Sequence, residues 1–214
     1  MVTRTKNDPL RRVAIVDDNS DSRRHLARIT SLAGYEPVPL ENHYARIGDL
    51  VQAIRAIGAG RALCDNRLRE GNYAGFDGAL AVDTLYRESF PAILVTDYTA
   101  PDINSIRVYR RRIPVLVPGS ELRPERIAQG FQQIDQEVIE KQVPLARRPR
   151  RALVEIHELV EGPRGRLLTA FVPRWREHEA IVIPEELIPA DIRASLKKGT
   201  ILIASINTEA ERSE

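Results

Sequence analysis

The sequence predicts an α/β chain, a doubly wound five-stranded parallel sheet over residues 10–139 followed by a small β-rich, barrel-like module over 152–207. Three observations predict it. Five short apolar runs are each followed by a stretch with helical periodicity. Those runs are continuous rather than alternating, which is the pattern of parallel strands buried on both faces. Composition then changes at Val143-Pro-Leu-Ala-Arg-Arg-Pro-Arg-Arg151, where two prolines and four arginines leave nothing for a core, so residues 140–151 read as an extended connector.

The elements follow in order. Val13 to Val16 is an apolar run that stops at Asp17-Asp18-Asn19-Ser20, and Leu26, Ile29 and Leu32 recur at three-residue steps before Gly34, giving strand, acidic turn and helix. Tyr35 to Leu40 is the second strand, and Ile47, Leu50, Val51 and Ile54 share one helical face. Ala62-Leu-Cys64 ends at Asp65, with Leu80, Thr84 and Leu85 expected to line the helix after Gly78. Ala92 to Val95 ends at Thr96, and a helix is expected near Asp102 to Arg111. Ile113 to Val117 is the fifth strand, and Ile127, Phe131, Ile134 and Val138 line the closing helix. Beyond the connector, Leu153 to Val160, Arg166 to Val172, Ala180 to Ile183 and Thr200 to Ile206 read as strands, with a turn at Gly162-Pro163. Between the last two, Leu187, Ile188, Ile192 and Leu196 predict a helix closed by Gly199.

Composition bounds the function. Lys+Arg 32 against Asp+Glu 30 gives a formal charge of +2, so the chain is not a polycation built to coat nucleic acid. No apolar run reaches the roughly 18–20 residues of a membrane span. The N-terminal MVTRTKNDPLRR lacks an apolar stretch of the kind that marks export, so a cytoplasmic location is expected. One cysteine, Cys64, cannot form an internal disulfide and reads as packing. His25, His43, His157 and His178 lie apart and form no recognisable triad or zinc spacing. Between 152 and 207 there are seven basic and eight acidic residues, a balance of −1 that does not suit DNA. Trp175, between Arg174 and Arg176, reads either as an exposed docking residue or as a core aromatic.

In parallel α/β sheets, ligands bind beyond the carboxyl ends of the strands. Asp17, Asp18, Asp65 and Thr96 all fall at such ends. Carboxylates brought together in one crevice repel unless a cation sits among them, and hard oxygen ligands suit Mg²⁺. A carboxylate beside that ion can take up a phosphoryl group. The competing reading is that each Asp merely caps a turn or helix.

With Val13-Ala-Ile-Val-Asp-Asp-Asn19, Ala62-Leu-Cys-Asp65, Gly75-Phe-Asp-Gly78 and Ile93-Leu-Val-Thr96, residues 10 to 139 resemble the receiver domain of two-component response regulators. Asp65 follows Asp18 by 47 residues and Thr96 follows Asp65 by 31, which fits that family. The resemblance implies a flavodoxin-like fold, Asp65 as phosphoacceptor, and Mg²⁺ held by Asp17, Asp18, Asp65 and the Arg67 backbone carbonyl. It also implies Thr96 as the residue that senses the phosphoryl group, and a sensor histidine kinase as donor.

One departure stands out. Receivers end the fifth strand with Lys-Pro, whereas this chain reads Leu116-Val117-Pro118, so Val117 occupies the family's lysine position. The only lysines are Lys6, Lys141, Lys197 and Lys198, and the aromatic residue that the family carries earlier on that strand is absent as well. Arg67 is the neighbouring source of positive charge, though its fork is not equivalent to an ammonium. The expected function is therefore signalling rather than enzymatic: phosphoryl acceptance on Asp65 with an impaired relay to the fifth strand, and a C-terminal module that binds a protein partner. A homodimer is left open. The alternatives are a Mg²⁺-dependent phosphatase-like enzyme using the same crevice, or a transcription regulator with an unfamiliar β-type DNA-binding domain.

Overall fold

The computed structural model describes residues 9–97, 106–162, 165–173, 175 and 180–206. The chain divides into two compact units, Met1–Val143 and Pro144–Glu214.

The first unit is built on β1 (Arg12–Val16), β2 (Glu36–Pro39), β3 (Arg61–Asp65), β4 (Ala92–Thr96) and β5 (Val115–Pro118). They form one parallel sheet in the order β2-β1-β3-β4-β5. This is the doubly wound, flavodoxin-like order, in which the chain reverses direction across the sheet between β1 and β3. The central strands are buried on both faces because their middles are wholly apolar, with polar residues only at their ends, such as Arg61 and Asp65 on β3 and Thr96 on β4. One face, with Ala14, Val16, Cys64 and Leu94, packs against α2 (Ile47–Ala56) and α3 (Gly78–Arg87). The other, with Ile15, Leu63, Ile93 and Val117, packs against α1 (Ser20–Leu32) and α4 (Pro124–Ile134).

Helix α1 starts where Asn19 Oδ1 accepts from the Asp21 and Ser22 amides at 2.9 and 3.1 Å, a side-chain cap. The predicted faces of α2 and the closing helix are those that pack, with Leu50, Ile54, Ile127, Phe131 and Ile134 wholly buried. That helix runs on as a π-turn, Asp135–Ile139, which carries Val138 into the same core. In α3 the face differs from expectation. Ala79, Ala81, Val82 and Leu85 are buried, whereas Leu80 and Thr84 are half-buried. The small residues lie against the sheet because α3 approaches it closely, and the larger Leu80 occupies the margin. Of the helix expected near Asp102 to Arg111, residues 98–105 lie outside those described. Ile106 and Arg107 are helical, within that expected range, and are followed by a turn in which the Tyr109 amide donates to the Ile106 carbonyl and then by a 3-10 turn at Arg110–Arg112.

The second unit is a four-stranded antiparallel sheet of β6 (Arg150–Gly162), β7 (Gly165–Phe171), β8 (Ile181–Pro184) and β9 (Ile201–Ile206), ordered β8-β7-β6-β9. A closed barrel would need β8 to pair with β9, and the pairings of the described residues stop short of that. Arg150 and Arg151, expected in the connector, open β6 opposite Ile206 and Ser205. The arginine run hid an alternation that begins there. The predicted helix between β8 and β9 shrinks to a 3-10 turn, Glu185–Leu187, and one helical turn, Ala190–Arg193. Pro189 is the cause, since it forces the preceding Ile188 into an extended conformation (φ −89°, ψ 133°). Gly199 (φ +80°) sits in the turn before β9 rather than at a helix end, with the Thr200 amide donating to the Lys197 carbonyl. Trp175 is half-buried and packs against the core cluster that holds Val154, Ile156, Leu168 and Ala170.

Candidate functional site

The β1 and β3 strands are neighbours, with Val16 opposite Cys64, so the residues that leave their carboxyl ends meet at the reversal point of the sheet. Asp17 follows β1 and is buried; Asp65 is the last residue of β3 and is half-buried. Asp17 Oδ1 accepts from the Asn19 amide at 2.8 Å, and Asp65 Oδ2 accepts from the Arg67 amide at 2.7 Å. Each carboxylate thus has one oxygen fixed by its own loop.

Burial pushes the Asp65 carboxyl up to about 7, the Asp17 charge pushes the same way, and the Arg67 and Asn66 amides oppose both. Asp17 is raised to about 6, again first by burial, with the Asn19 amide opposing and Asp18 adding repulsion. The acidic residues crowd one another, since Asp18 makes Asp17 harder to ionise and Asp17 and Asp18 do the same to Asp65. Asp18 is half-buried, and its Oδ2 lies 3.6 Å from where a Cβ on Gly71 would stand, so it leans over the loop after β3.

That loop is held from several sides. Gly78 brings α3 so close to β3 that a Cβ there would stand 1.8 Å from the Asp65 carbonyl oxygen, and its amide donates to the Asn66 carbonyl. Asn66 Oδ1 in turn accepts from the Ala79 amide at 3.2 Å. The Tyr44 amide donates to the Tyr73 carbonyl and the Gly75 amide to the Tyr44 carbonyl, which zips the β2–α2 and β3–α3 loops together. Tyr73 packs edge-on to Tyr44, and its hydroxyl donates to the Leu40 carbonyl at 2.9 Å. The acidic pair is therefore mounted on a braced floor.

Thr96 is buried at the end of β4, opposite Pro118 of β5. Val117 is wholly buried in the core cluster that holds Val95, Val115 and Ile127. The next groups along β4 and β5 are Asp97 and Gly119, where a Cβ would stand 2.5 Å from Asp97 Oδ1, so a carboxylate rather than an ammonium borders this side.

Sequence reading missed Arg23. From the first turn and a half of α1 it donates from Nη1 to the Asp17 carbonyl, and its guanidinium lies 5.7 Å from the Tyr73 ring centroid. Its charge pulls the Asp17 pKa down, so the cation acting on this carboxylate comes from α1. A helical side chain leans toward its N-terminus, which carries Arg23 back over the strand end. That directional rule is the one signal that pointed to it.

The donor set can be tested against Mg²⁺. Among the described residues no three His, Cys, Asp or Glu side chains lie together as a ready-made cage. Mg²⁺ usually keeps several waters and needs only one or two carboxylates from the protein. Asp17, buried, and Asp65, half-buried and raised in part by the Asp17 charge, fit that requirement.

No family model matches the chain, and no curated protein matches it. Solved structures similar to it include the receiver domain of NtrX from Brucella abortus, at 17% identity, TM-score 0.45, over 57% of this chain and 98% of that one. Another is a CheY-like response regulator receiver domain protein from Methanospirillum hungatei, at 19% identity, TM-score 0.44, over 60% and 98%. A third is a DNA-binding response regulator of the LuxR family from Staphylococcus aureus, at 15% identity, TM-score 0.44, over 59% and 99%. The first unit has the receiver fold on the strength of its own strand order and parallel register.

Proposed function

We propose that the chain is a response-regulator-like signalling protein whose first unit accepts a phosphoryl group on Asp65. A sensor histidine kinase is the proposed donor. The observation that supports this reading is the placement of Asp17, buried, and Asp65, half-buried, at adjacent strand ends, where the Asp17 charge helps raise the Asp65 pKa. One Asp65 carboxylate oxygen attacks the phosphorus of a phosphohistidine. The P–N bond breaks as the O–P bond forms, and the imidazole leaves with the electron pair and takes a proton from solvent. Asp17 and Asp65, with Asp18 and the Arg67 carbonyl, are the groups that would hold a Mg²⁺ ion, which would supply charge neutralisation for the phosphoryl oxygens. Asp17 and the amides of the Asp65 loop hold the acceptor in place, and the Thr96 hydroxyl hydrogen-bonds the arriving group. The role is that of a phosphoacceptor rather than a turnover enzyme, and the second unit serves as a protein-binding output.

The buried Val117 shapes the expected response. A ligand shifts a two-state equilibrium only by its differential affinity for the two states, and a valine side chain offers the phosphoryl oxygens no tether to β5. Beryllofluoride with Mg²⁺ is therefore expected to shift the amides of Asp65 and Thr96 while leaving those from Ile106 to Val138 nearly unmoved, as read by NMR. Unmoved Asp65 and Thr96 amides would overturn the phosphoacceptor reading. Concerted shifts from Ile106 to Val138 would show that the relay survives without the lysine.

A further inference from the structure

The sheet of the second unit has two faces of unequal character. One packs Val154, Ile156, Leu168 and Ala170 into a core. On the other, Leu153 is 51% exposed and its neighbours Ile201 and Ile203 on β9 are 63% and 64% exposed. Leu153 and Ile203 are direct cross-strand partners, so the three side chains form one apolar patch rather than scattered residues. An edge strand carrying two bare isoleucines is an association site or an aggregation hazard, and stable proteins cover such a surface.

The polar residues around the patch specify what covers it. On β6 the outward side chains run Arg151, Leu153, Glu155, so a cation and an anion flank the apolar centre, each about 7 Å away along the strand. Opposite them on β9 lie Ser205 beside Arg151 and Ile201 beside Glu155. Consider two such faces packed together about a two-fold axis. If the axis ran along the strands, Arg151 would approach the Arg151 side of the partner and Glu155 its Glu155 side, two repulsions. If it crosses the strands at Leu153, then Leu153 meets Leu153, Ile203 meets Ile203, and each Arg151 meets the other copy's Glu155. The patch is complementary to itself in its apolar centre and its flanking charges, which is the condition for an isologous contact.

From this we propose that the outer face of the β6–β9 sheet is the interface between two copies of this chain, related by a two-fold axis that crosses β6 at Leu153. The strands then stack antiparallel, within the roughly 30° spread of aligned sheet packing. This goes beyond the phosphoacceptor reading and does not depend on it.

Sedimentation equilibrium of the full chain tests it. The wild type is expected to be a dimer and Ile203→Glu a monomer with an unchanged circular dichroism spectrum. Arg151→Glu and Glu155→Arg, which each bring like charges together, are expected to weaken the dimer about tenfold. The double variant Arg151→Glu/Glu155→Arg restores opposite charges and is expected to return to within about threefold of the wild type. A misfolded single variant would not be rescued in this way. A monomeric wild type, a dimer indifferent to Ile203→Glu, or a double variant no tighter than either single one would overturn the proposal.

Discussion

Arg61→Ala is expected to destabilise the first unit by about 3 kcal/mol, the low end of the range for breaking a buried ion pair, because Asp135, the partner left behind, keeps some access to solvent. Arg61 is the first residue of β3 and has no exposed surface. Its Nη1 and Nη2 form a bidentate pair with the two Asp135 carboxylate oxygens at 2.5 and 2.7 Å, and its Nε donates to the Leu10 carbonyl at 2.6 Å. The guanidinium lies 5.0 Å from the Phe131 ring centroid and 5.8 Å from that of Tyr35. One side chain thereby joins β3 to the turn before β1, to β2's approach and to the end of α4. Removing it leaves the Asp135 carboxylate and the Leu10 carbonyl without these partners and opens a cavity against Phe131. Replacing both charges, as in Arg61→Met/Asp135→Leu, is expected to recover most of the loss, because the desolvation of each ion disappears with it. Urea melts of the three variants check this. Loss below about 1 kcal/mol in Arg61→Ala would assign the pair to the weak surface class.

Asp65→Asn is expected to stabilise the protein at pH 8 while removing its chemistry. A carboxyl raised from 3.8 to about 7 by burial first and Asp17 second binds its proton more tightly in the folded state than in the unfolded one. The folded state therefore holds more protons between those values, so stability falls as pH rises from about 4 to 7. Asparagine keeps the oxygen that accepts from the Arg67 amide and carries no charge. A shift of this size corresponds to a few kcal/mol, and partial solvent access reduces it to about 2 kcal/mol. The gain should be present at pH 8, absent at pH 4, and smaller at pH 8 with Mg²⁺, which relieves the same repulsion in the wild type. Equal stability of the two proteins at pH 8 without Mg²⁺ would contradict an Asp65 carboxyl raised by burial and by the Asp17 charge.

The first unit was legible because each strand is a continuous apolar run that ends on a polar punctuation mark. Asp17, Asp65 and Thr96 stand where those runs stop, so their positions in the fold followed from the strand boundaries alone. Arg61 escaped because an arginine ahead of Ala62-Leu-Cys64 reads as the solvated residue before a strand, and only the tertiary partners Asp135 and Phe131 bring it inside. Arg23 escaped for a similar reason, since sequence spacing does not show that a residue of α1 reaches back over β1. In the second unit, charged residues obscured the first turn of β6, and Pro189 overrode an apolar period that otherwise suits a helix. Local patterns decide elements there, but a single proline or a cross-strand partner decides their extent.

The central claim is that Asp65 accepts a phosphoryl group. The direct measurement is the intact mass of the full chain after incubation with a small-molecule phosphodonor and Mg²⁺. One phosphoryl increment is expected on the wild type, with none on Asp65→Asn. An unmodified wild type, or an increment retained by Asp65→Asn, would contradict it.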